Sequence, residues 1–297
     1  MPHLHIAIGS TTSRPGEVAQ NLRQIADFAG RAAADGADLL LTPEMSASGY
    51  GAYPEVLATA ETAGNGPIFA ELAAIAARHR LVICAGFVEA DQKKRYISHY
   101  AVYPNREYIV QRKHRVTLTE KPLDSPVRLS GHPPGADDPA DPGQPLDPPV
   151  FAEIEIKGVR CLMLICADYG IETVHETLNR RAVQLLLLPT GAGGKREDRV
   201  VSADLATAAG REHYVELLET LFFPKQAVAD CLKYRRALAA VNLGGWDGRR
   251  YYHAGHGMII TPLGEVPGFF HGIPNLDRQR PMYAHALVEV DRTPGKT

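Results

Sequence analysis

Short apolar runs alternate along the chain with longer segments in which apolar residues recur at helical spacing. Residues 18–29 follow the helical pattern, and the apolar run 39–41 predicts a buried strand soon after it. Pro67 stands where a second helix can begin, and the apolar face of that helix leads into a predicted strand at 81–86. Because helices and strands alternate in this way, the sequence predicts a layered α/β domain.

The middle of the chain continues the alternation. Residues 96–103 and 107–111 flank Pro104-Asn105-Arg106, a pattern that predicts a hairpin. Further on, apolar residues on one face of a predicted helix lead into the strand 183–188.

Two segments lack apolar periodicity. Residues 122–149 are rich in Pro, Gly and Asp, and residues 191–224 begin with a glycine-rich turn. Both are predicted as long loops, the first as a segment that shapes the mouth of a site or makes a surface excursion. No repeat or linker divides the sequence, so we expect a single domain over residues 1–297.

Reactive side chains stand at the ends of three predicted strands. An apolar run ends at Cys166, the run before Thr42-Pro43 ends at Glu44, and the strand 108–112 ends at Lys113. Taken singly, a buried cysteine is usually structural and a charged strand end is usually solvated. Together, a thiol, a base that can take its proton and a cation that can hold negative charge are the groups that acyl transfer needs.

Around these residues the chain resembles the nitrilase superfamily of carbon–nitrogen hydrolases, which carries a Glu–Lys–Cys triad in that chain order. The resemblance covers about residues 4–290 and rests on several motifs in the right order. The matching segments are Ile6-Ala7-Ile8-Gly9, Asn21-Leu22, Asp38-Leu39-Leu40-Leu41-Thr42-Pro43-Glu44, Ser48-Gly49-Tyr50, Gln111-Arg112-Lys113-His114, Leu164-Ile165-Cys166-Ala167-Asp168, Tyr234-Arg235-Arg236-Ala237-Leu238-Ala239-Ala240-Val241-Asn242 and Gly255-His256-Gly257-Met258-Ile259-Ile260-Thr261-Pro262-Leu263-Gly264.

The resemblance implies a four-layer α-β-β-α sandwich in one domain. It also implies that Glu44 is the general base, Cys166 the nucleophile and Lys113 the group that binds the oxyanion. The family's second glutamate is matched by Glu120, which follows the lysine at a fitting distance. This chemistry requires no metal and no organic cofactor.

Further residues are candidates for the oxyanion site and the substrate pocket. The backbone N–H of Ala167 is the expected second oxyanion donor. Tyr50, Tyr169 and Trp246 are aromatic residues that suit a partly apolar substrate, and Thr190 opens the glycine-rich turn after a buried strand.

The sequence also departs from the family. After the cysteine, many members have Asp, Arg, an aromatic residue, Pro and Glu, whereas this chain reads Asp168-Tyr169-Gly170-Ile171-Glu172. True nitrilases usually carry Trp-Glu directly after the cysteine, and here Ala-Asp follows. These departures affect the expected substrate more than the expected chemistry, and the absence of Trp-Glu counts against a nitrilase. The leading expectation is hydrolysis of a small amide, including N-carbamoyl compounds. A nitrilase is the alternative within the family, and a catalytically silent binding or scaffold protein is the alternative from another class.

The composition and charge of the chain limit the kinds of molecule that it is expected to bind. The chain has 297 residues, 45% of them hydrophobic, and a net charge of -2, which gives no electrostatic case for binding nucleic acid or an anionic membrane. No apolar stretch is long enough to span a membrane, and the amino terminus lacks a signal-peptide pattern. Four cysteines without regular spacing indicate a reducing compartment, so we expect a cytoplasmic protein.

Two closely spaced histidines near the end of the chain are candidate metal ligands. His253 and His256 lack a third nearby donor, so we predict hydrogen-bonded histidines and no metal site.

The resemblance implies at least a homodimer. The apolar positions Val174, Leu178 and Ala182, with those of a late helix over 230–240, are the faces through which we expect two copies to pair.

Overall fold

The fold was analysed on a computed structural model of the chain. It describes residues 2–126, 150–171, 174–195, 207–210, 212, 224–270 and 282–290. Its helices are α1 Val18–Ala34, α2 Pro54–Leu57, α3 Pro67–His79, α4 Val174–Arg180 and α5 Pro224–Tyr234, and 3-10 turns cover Leu118–Glu120 and Cys166–Gly170. Its strands are β1 His3–Ser10, β2 Leu39–Leu41, β3 Val82–Asp91, β4 Lys94–Val102, β5 Tyr108–Arg112, β6 Glu153–Ile156, β7 Val159–Met163, β8 Leu185–Thr190, β9 Gly193–Lys195, β10 Ala237–Asn242, β11 Gly244–Trp246, β12 Tyr251–Ala254, β13 Gly257–Ile260, β14 Gly268–Phe270 and β15 Met282–Glu289.

Two six-stranded sheets form the centre of the molecule. The first has the order β15-β1-β2-β3-β4-β5, and the second has the order β14-β13-β10-β8-β7-β6. Strands β1, β2 and β3 are parallel in the first sheet, and β7, β8 and β10 are parallel in the second. The carboxyl ends of parallel strands share one edge of a sheet, which is where α/β proteins build their sites. A small third sheet has the order β11-β12-β9. In the chain, β9 follows β8, and β11 and β12 follow β10.

The main core lies between the two large sheets. Apolar side chains from both inner faces fill it, among them Ile6, Leu41 and Ile97 from the first sheet and Met163 and Leu187 from the second. Helices α1 and α3 cover the outer face of the first sheet, and α4 and α5 cover the outer face of the second. The layers are therefore α-β-β-α, which confirms the predicted sandwich.

Most predicted elements are present. The helical pattern at 18–29 lies within α1, Pro67 begins α3, and the hairpin predicted around 104–106 joins β4 to β5. Residues 127–149, most of the first predicted loop, lie outside the described residues, as do 196–206, 211 and 213–223 of the second.

Two boundaries differ from the prediction. The glycine-rich start of the second loop forms strand β9, because Gly193–Lys195 pairs with Tyr251–His253. The late helix ends at Tyr234, and residues 237–240 belong to β10. Arg235, with a φ of 47°, reverses the chain between them, so the apolar run that follows becomes a buried strand.

Part of the helix faces expected to join two copies is buried within one chain. Val174 and Leu178 are fully buried in the cluster under the second sheet, where Ala227 and Cys231 of α5 also pack. Ala182 lies beyond the end of α4. Val174 and Leu178 are therefore not available to pair two copies, whereas Leu232 of α5 is 52% exposed, and oligomerisation stays a prediction. In the described part of the chain, no helix is both long and apolar enough to cross a membrane.

Candidate active site

Four predicted residues meet at the strand ends of the two sheets. Glu44 follows β2, Lys113 follows β5, and Glu120 ends the 3-10 turn that comes next in the chain. Cys166 follows β7 of the other sheet and begins its own 3-10 turn. The first sheet thus supplies the charged groups and the second sheet supplies the thiol.

Lys113 bridges the two carboxylates. Its Nζ donates to Oε1 of Glu44 at 2.8 Å and to Oε1 of Glu120 at 2.6 Å, and all three side chains have no solvent exposure. Oε2 of Glu120 accepts the Thr117 backbone N–H at 2.7 Å, closing a capping box in the 3-10 turn. A surface position for Glu120, the alternative to a site residue, is excluded by this burial.

Burial and mutual charge separate the two glutamates. Burial raises the pKa of Glu44, Lys113 opposes that rise and the charge on Glu120 adds to it, so that the pKa reaches about 7. For Glu120, burial also favours the neutral acid, but the Lys113 ammonium and its hydrogen bond prevail and lower the pKa. For Lys113, burial is outweighed by the two carboxylates and the pKa is raised. The resting site therefore contains an ionised Glu120–Lys113 pair beside a carboxyl that titrates near neutrality.

Cys166 is held in a strained backbone conformation beside Glu44. Its φ is 52°, in the left-handed region that cysteine rarely adopts. It is partly exposed, whereas the other three cysteines of the chain are buried. Burial of the sulfur and the neighbouring Glu44 charge raise the pKa of its thiol, and the thiol lies within reach to donate to the Glu44 carboxylate. Cys166 is thus a neutral thiol whose proton can pass to Glu44.

The turn after β8 packs against the carboxylate of Glu44. A Cβ on Gly191 would lie 2.4 Å from the Tyr50 ring and 3.0 Å from Oε2 of Glu44, so only glycine fits there. The Thr190 carbonyl accepts the Glu44 backbone N–H at 3.3 Å, and the Thr190 hydroxyl donates to Asn242 Oδ1 at 3.0 Å. Thr190 therefore positions the base through its backbone.

Tyr50 and Ala167 both lie beside members of the four central residues. The buried Tyr50 hydroxyl donates to Oε1 of Glu120 at 2.7 Å, and burial together with the charge on Glu120 raises its pKa, so it stays protonated. Ala167 follows Cys166 at the start of the 3-10 turn, where backbone N–H groups have no partner within the turn itself.

Two predicted pocket residues lie elsewhere. The Tyr169 hydroxyl donates to Asp230 of α5, and its ring packs against His175 in the outer layer. Trp246 stacks on Tyr252, on the face of the small sheet opposite to His253. The structure therefore does not bring either of these rings to the four central residues.

His253 stands on the near side of the small sheet. It is buried, meets the Tyr50 ring edge-on at 5.3 Å between centroids, and its Nδ1 lies 3.3 Å from the Ala192 carbonyl oxygen. Burial lowers its pKa, so the ring is neutral. This agrees with the prediction of a hydrogen-bonded histidine near the pocket.

Two further contacts were not predicted from the sequence. The Gly191 N–H interacts with the Cys166 sulfur and opposes the rise in its pKa. Asp168 binds backbone N–H groups on both sides of the site. In the sequence, the glycine-rich run after Thr190 and the triplet Cys166-Ala167-Asp168 were the features that pointed to these contacts.

Among the described residues, no group of three or more His, Cys, Asp or Glu side chains could hold a metal ion.

Comparisons with known proteins agree with this fold. A family model described as carbon-nitrogen hydrolase matches residues 5–209, more than half of the chain. No curated protein sequence matches this chain. Among solved structures, an amidase from Nesterenkonia sp. is 20% identical with a TM-score of 0.67, covering 96% of this chain and 89% of that chain. A carbon–nitrogen hydrolase superfamily protein from Xanthomonas campestris, with an arsenic adduct in its active site, is 16% identical with a TM-score of 0.66, covering 96% and 91%.

The two-sheet fold and the family match together define a class, the enzymes that hydrolyse carbon–nitrogen bonds. Within that class, the chain belongs to the carbon-nitrogen hydrolase family.

Proposed function

We propose that the protein hydrolyses the carbon–nitrogen bond of a small, non-peptide amide, N-carbamoyl compounds included, through a thioester on Cys166. The observation that carries the proposal is the fully buried Glu44–Lys113–Glu120 network beside the thiol of Cys166, a residue that is partly exposed. These groups are a base, a fixed cation and a nucleophile, the combination that acyl transfer needs.

In the first half of the reaction, the Cys166 sulfur attacks the amide carbon and its proton passes to Glu44. The carbonyl oxygen becomes an oxyanion, which Lys113 Nζ and the Ala167 N–H stabilise. The carbon–nitrogen bond then breaks, and the leaving nitrogen takes the proton from Glu44. The products of this half are ammonia or an amine and the Cys166 thioester.

In the second half, Glu44 takes a proton from water as the water oxygen attacks the thioester carbon. The same two donors hold the second oxyanion. The carbon–sulfur bond breaks, the sulfur regains a proton from Glu44, and a carboxylic acid leaves. Glu120 stays ionised throughout and keeps Lys113 charged and oriented.

Structural relatives support an amide as substrate. A cysteine-to-alanine mutant of the Nesterenkonia amidase, 20% identical to this chain with a TM-score of 0.66 and covering 96% of this chain and 90% of that one, is in complex with butyramide. In a second variant, acrylamide has added to the active-site cysteine. Small aliphatic amides are therefore the first compounds to assay.

The proposal is tested by ammonia release from butyramide, an N-carbamoyl amino acid and butyronitrile. Cys166→Ala and Lys113→Ala should each lower turnover of the amide at least about 10²-fold, because one removes the nucleophile and the other a charge needed as the oxyanion develops. Cys231→Ala, a cysteine buried in the outer layer, is the matched control and should keep the wild-type rate.

Each result decides between the candidate functions. Release of ammonia from the nitrile alone makes the protein a nitrilase. No turnover of any compound, together with a Cys166 that iodoacetamide does not alkylate, favours a catalytically silent binding protein. Near-native rates in either alanine variant would show that the assigned nucleophile or oxyanion group is wrong.

The two glutamates are distinguished by a second pair of variants. Glu120→Gln should lose most amide turnover while Cys166 is still alkylated, because Glu44 remains to take the thiol proton. Glu44→Gln should lose turnover and also slow the alkylation. Mass spectrometry of the alkylated protein, with ammonia assays in parallel, measures both. Amide hydrolysis by Glu120→Gln at the wild-type rate would show that the charge of Glu120 has no part in catalysis.

The proposed setting is the cytoplasm, with a small molecule as the partner in catalysis. The four unpaired cysteines support a reducing compartment. We also propose that the chain forms a homodimer or a higher homo-oligomer, and light scattering at micromolar concentration measures this. A monomeric mass would contradict it.

A further inference from the structure

Asp168 connects the two polypeptide segments that carry the nucleophile and the lysine. It lies two residues after Cys166, and its side chain has no solvent exposure. Oδ1 accepts the backbone N–H of His114 at 3.0 Å and that of Arg115 at 2.7 Å. Oδ2 accepts the His114 N–H at 3.2 Å and the Ile165 N–H at 3.4 Å. One carboxylate thus binds the residues next to Lys113 and the residue before Cys166.

These contacts cross between the two sheets. Lys113 and the segment after it leave β5 of the first sheet, and Cys166 leaves β7 of the second. Arg115 adds a second link, because its Nη1 donates to the Gly170 carbonyl at 3.1 Å at the end of the nucleophile turn. The neighbouring His114 ring packs edge-on against Phe151 at 4.7 Å between centroids, which limits its movement.

We propose that Asp168 is a positioning residue that fixes the distance between Cys166 and Lys113 through these backbone hydrogen bonds. It does not touch the reacting atoms. It holds the strained Cys166 backbone from one side and the start of the lysine segment from the other, so that the thiol and the ammonium face the same carbonyl group. The inference rests on the proposed function for its catalytic meaning.

The chemistry requires a carboxylate. Backbone N–H groups of three residues converge on the Asp168 side chain, and only a group with two acceptor oxygens and no donor can satisfy all of them. In Asp168→Asn, the amide nitrogen would face the N–H of Ile165 or those of His114 and Arg115. One of the two connections would break while the volume of the side chain stayed the same.

The test compares Asp168→Asn with Asp124→Asn. Asp124 also accepts a backbone N–H, that of Arg95 at 2.8 Å, but it does so at an exposed site. Because a displacement of about 1 Å can cost about 10²-fold in rate, we expect kcat of Asp168→Asn to fall 10- to 100-fold, with KM within about threefold of wild type. Alkylation of Cys166 by iodoacetamide should slow about tenfold, since the thiol is no longer held between Glu44 and Lys113. Asp124→Asn should change neither rate.

A merely structural role has a different outcome. It would lower the melting temperature of Asp168→Asn while kcat and the alkylation rate of the folded protein stayed within twofold of wild type, and that result would overturn the proposal. Should Asp168→Asn fail to fold, Asp168→Glu gives the same comparison, because it keeps the charge but displaces the carboxylate by one methylene. Wild-type rates in Asp168→Glu would overturn it equally.

The alkylation assay needs no substrate, so the two proposals can fail separately. If the wild-type protein hydrolyses no amide, the proposed function fails while the alkylation of Asp168→Asn still tests the positioning role. If wild-type turnover is present and both rates of Asp168→Asn are unchanged, only the positioning role fails.

Discussion

The environment of Glu44 raises the pKa of its carboxyl to a value that suits the proposed reaction. It is buried against a second carboxylate that shares its ammonium partner, and its pKa of about 7 follows from that arrangement. A carboxyl with this pKa is a strong enough base for a neutral thiol and a strong enough acid for a leaving amine. A glutamate with its ordinary pKa would be a poor proton donor at neutral pH.

The pH dependence of the rate follows from this pKa. Glu44 must be ionised to take the thiol proton, and below pH 7 an increasing fraction of it is protonated. We therefore expect kcat/KM for an uncharged amide such as butyramide to fall tenfold per pH unit well below pH 7, with an apparent pKa near 7. Steady-state rates between pH 5 and 9 measure this. An acid limb centred near 4.5 would show that a glutamate in an ordinary environment is the base.

Residue types at strand ends, together with the resemblance to the nitrilase superfamily, were enough to predict which charged side chains meet. Glu44, Lys113, Glu120 and Cys166 each follow a recognisable strand or turn, and strand ends converge. The direction of a side chain within a turn cannot be predicted in this way. Tyr169 is three residues from Cys166, yet the 3-10 turn directs it to Asp230 in the outer layer.

At the scale of elements, helix α3 shows how a distant carboxylate substitutes for a local cap. Gly66 precedes the helix and has no side chain to cap it. Glu61 instead accepts the Ile68 N–H at 2.8 Å and the Phe69 N–H at 2.9 Å. A negative charge at a helix N-terminus also interacts favourably with the helix dipole.

The contribution of this cap can be measured. Glu61→Ala should lower the free energy of unfolding by about 2 kcal/mol, because two N–H groups of α3 lose a charged acceptor. Glu71→Ala changes an exposed glutamate of the same helix and should stay within about 0.5 kcal/mol of wild type. Urea denaturation of both variants provides the values. Equal stabilities would mean that water replaces the Glu61 carboxylate without loss.

Element boundaries were harder to predict than element types. Residues 230–240 carry apolar positions that fit either a helix or a buried strand, since a short apolar run has no distinguishing period. The chain resolves this at Arg235, whose left-handed φ ends α5. Likewise, Gly193–Lys195 has the composition of a loop and becomes a strand only because Tyr251–His253 lies beside it.

At the scale of the whole molecule, the last described strand completes the first sheet. Strand β15 pairs antiparallel with β1 along its full length, and Ala286 and Val288 point into the core between the sheets. Leu287, between them, is 63% exposed. The alternation places successive residues of one strand in opposite environments.

A pair of substitutions tests this arrangement. Val288→Asp should destabilise the protein by about 4 kcal/mol or more, because it buries an unpaired charge between the sheets. Leu287→Asp, the same change one residue earlier, should cost less than about 0.5 kcal/mol. Thermal and urea unfolding compare them. Similar losses in both variants would contradict the register of β15 on β1.

The division of the site between two sheets affects the chain while it is being made. A ribosome releases the segments with Glu44, Lys113 and Glu120 before the one with Cys166, and strand β15, which pairs with β1, follows all of them. Domains form as units once their segments are available. The sulfur of a nascent chain therefore lacks its base and its oxyanion donors until both sheets have met, and the proposed reaction can begin only in the folded domain.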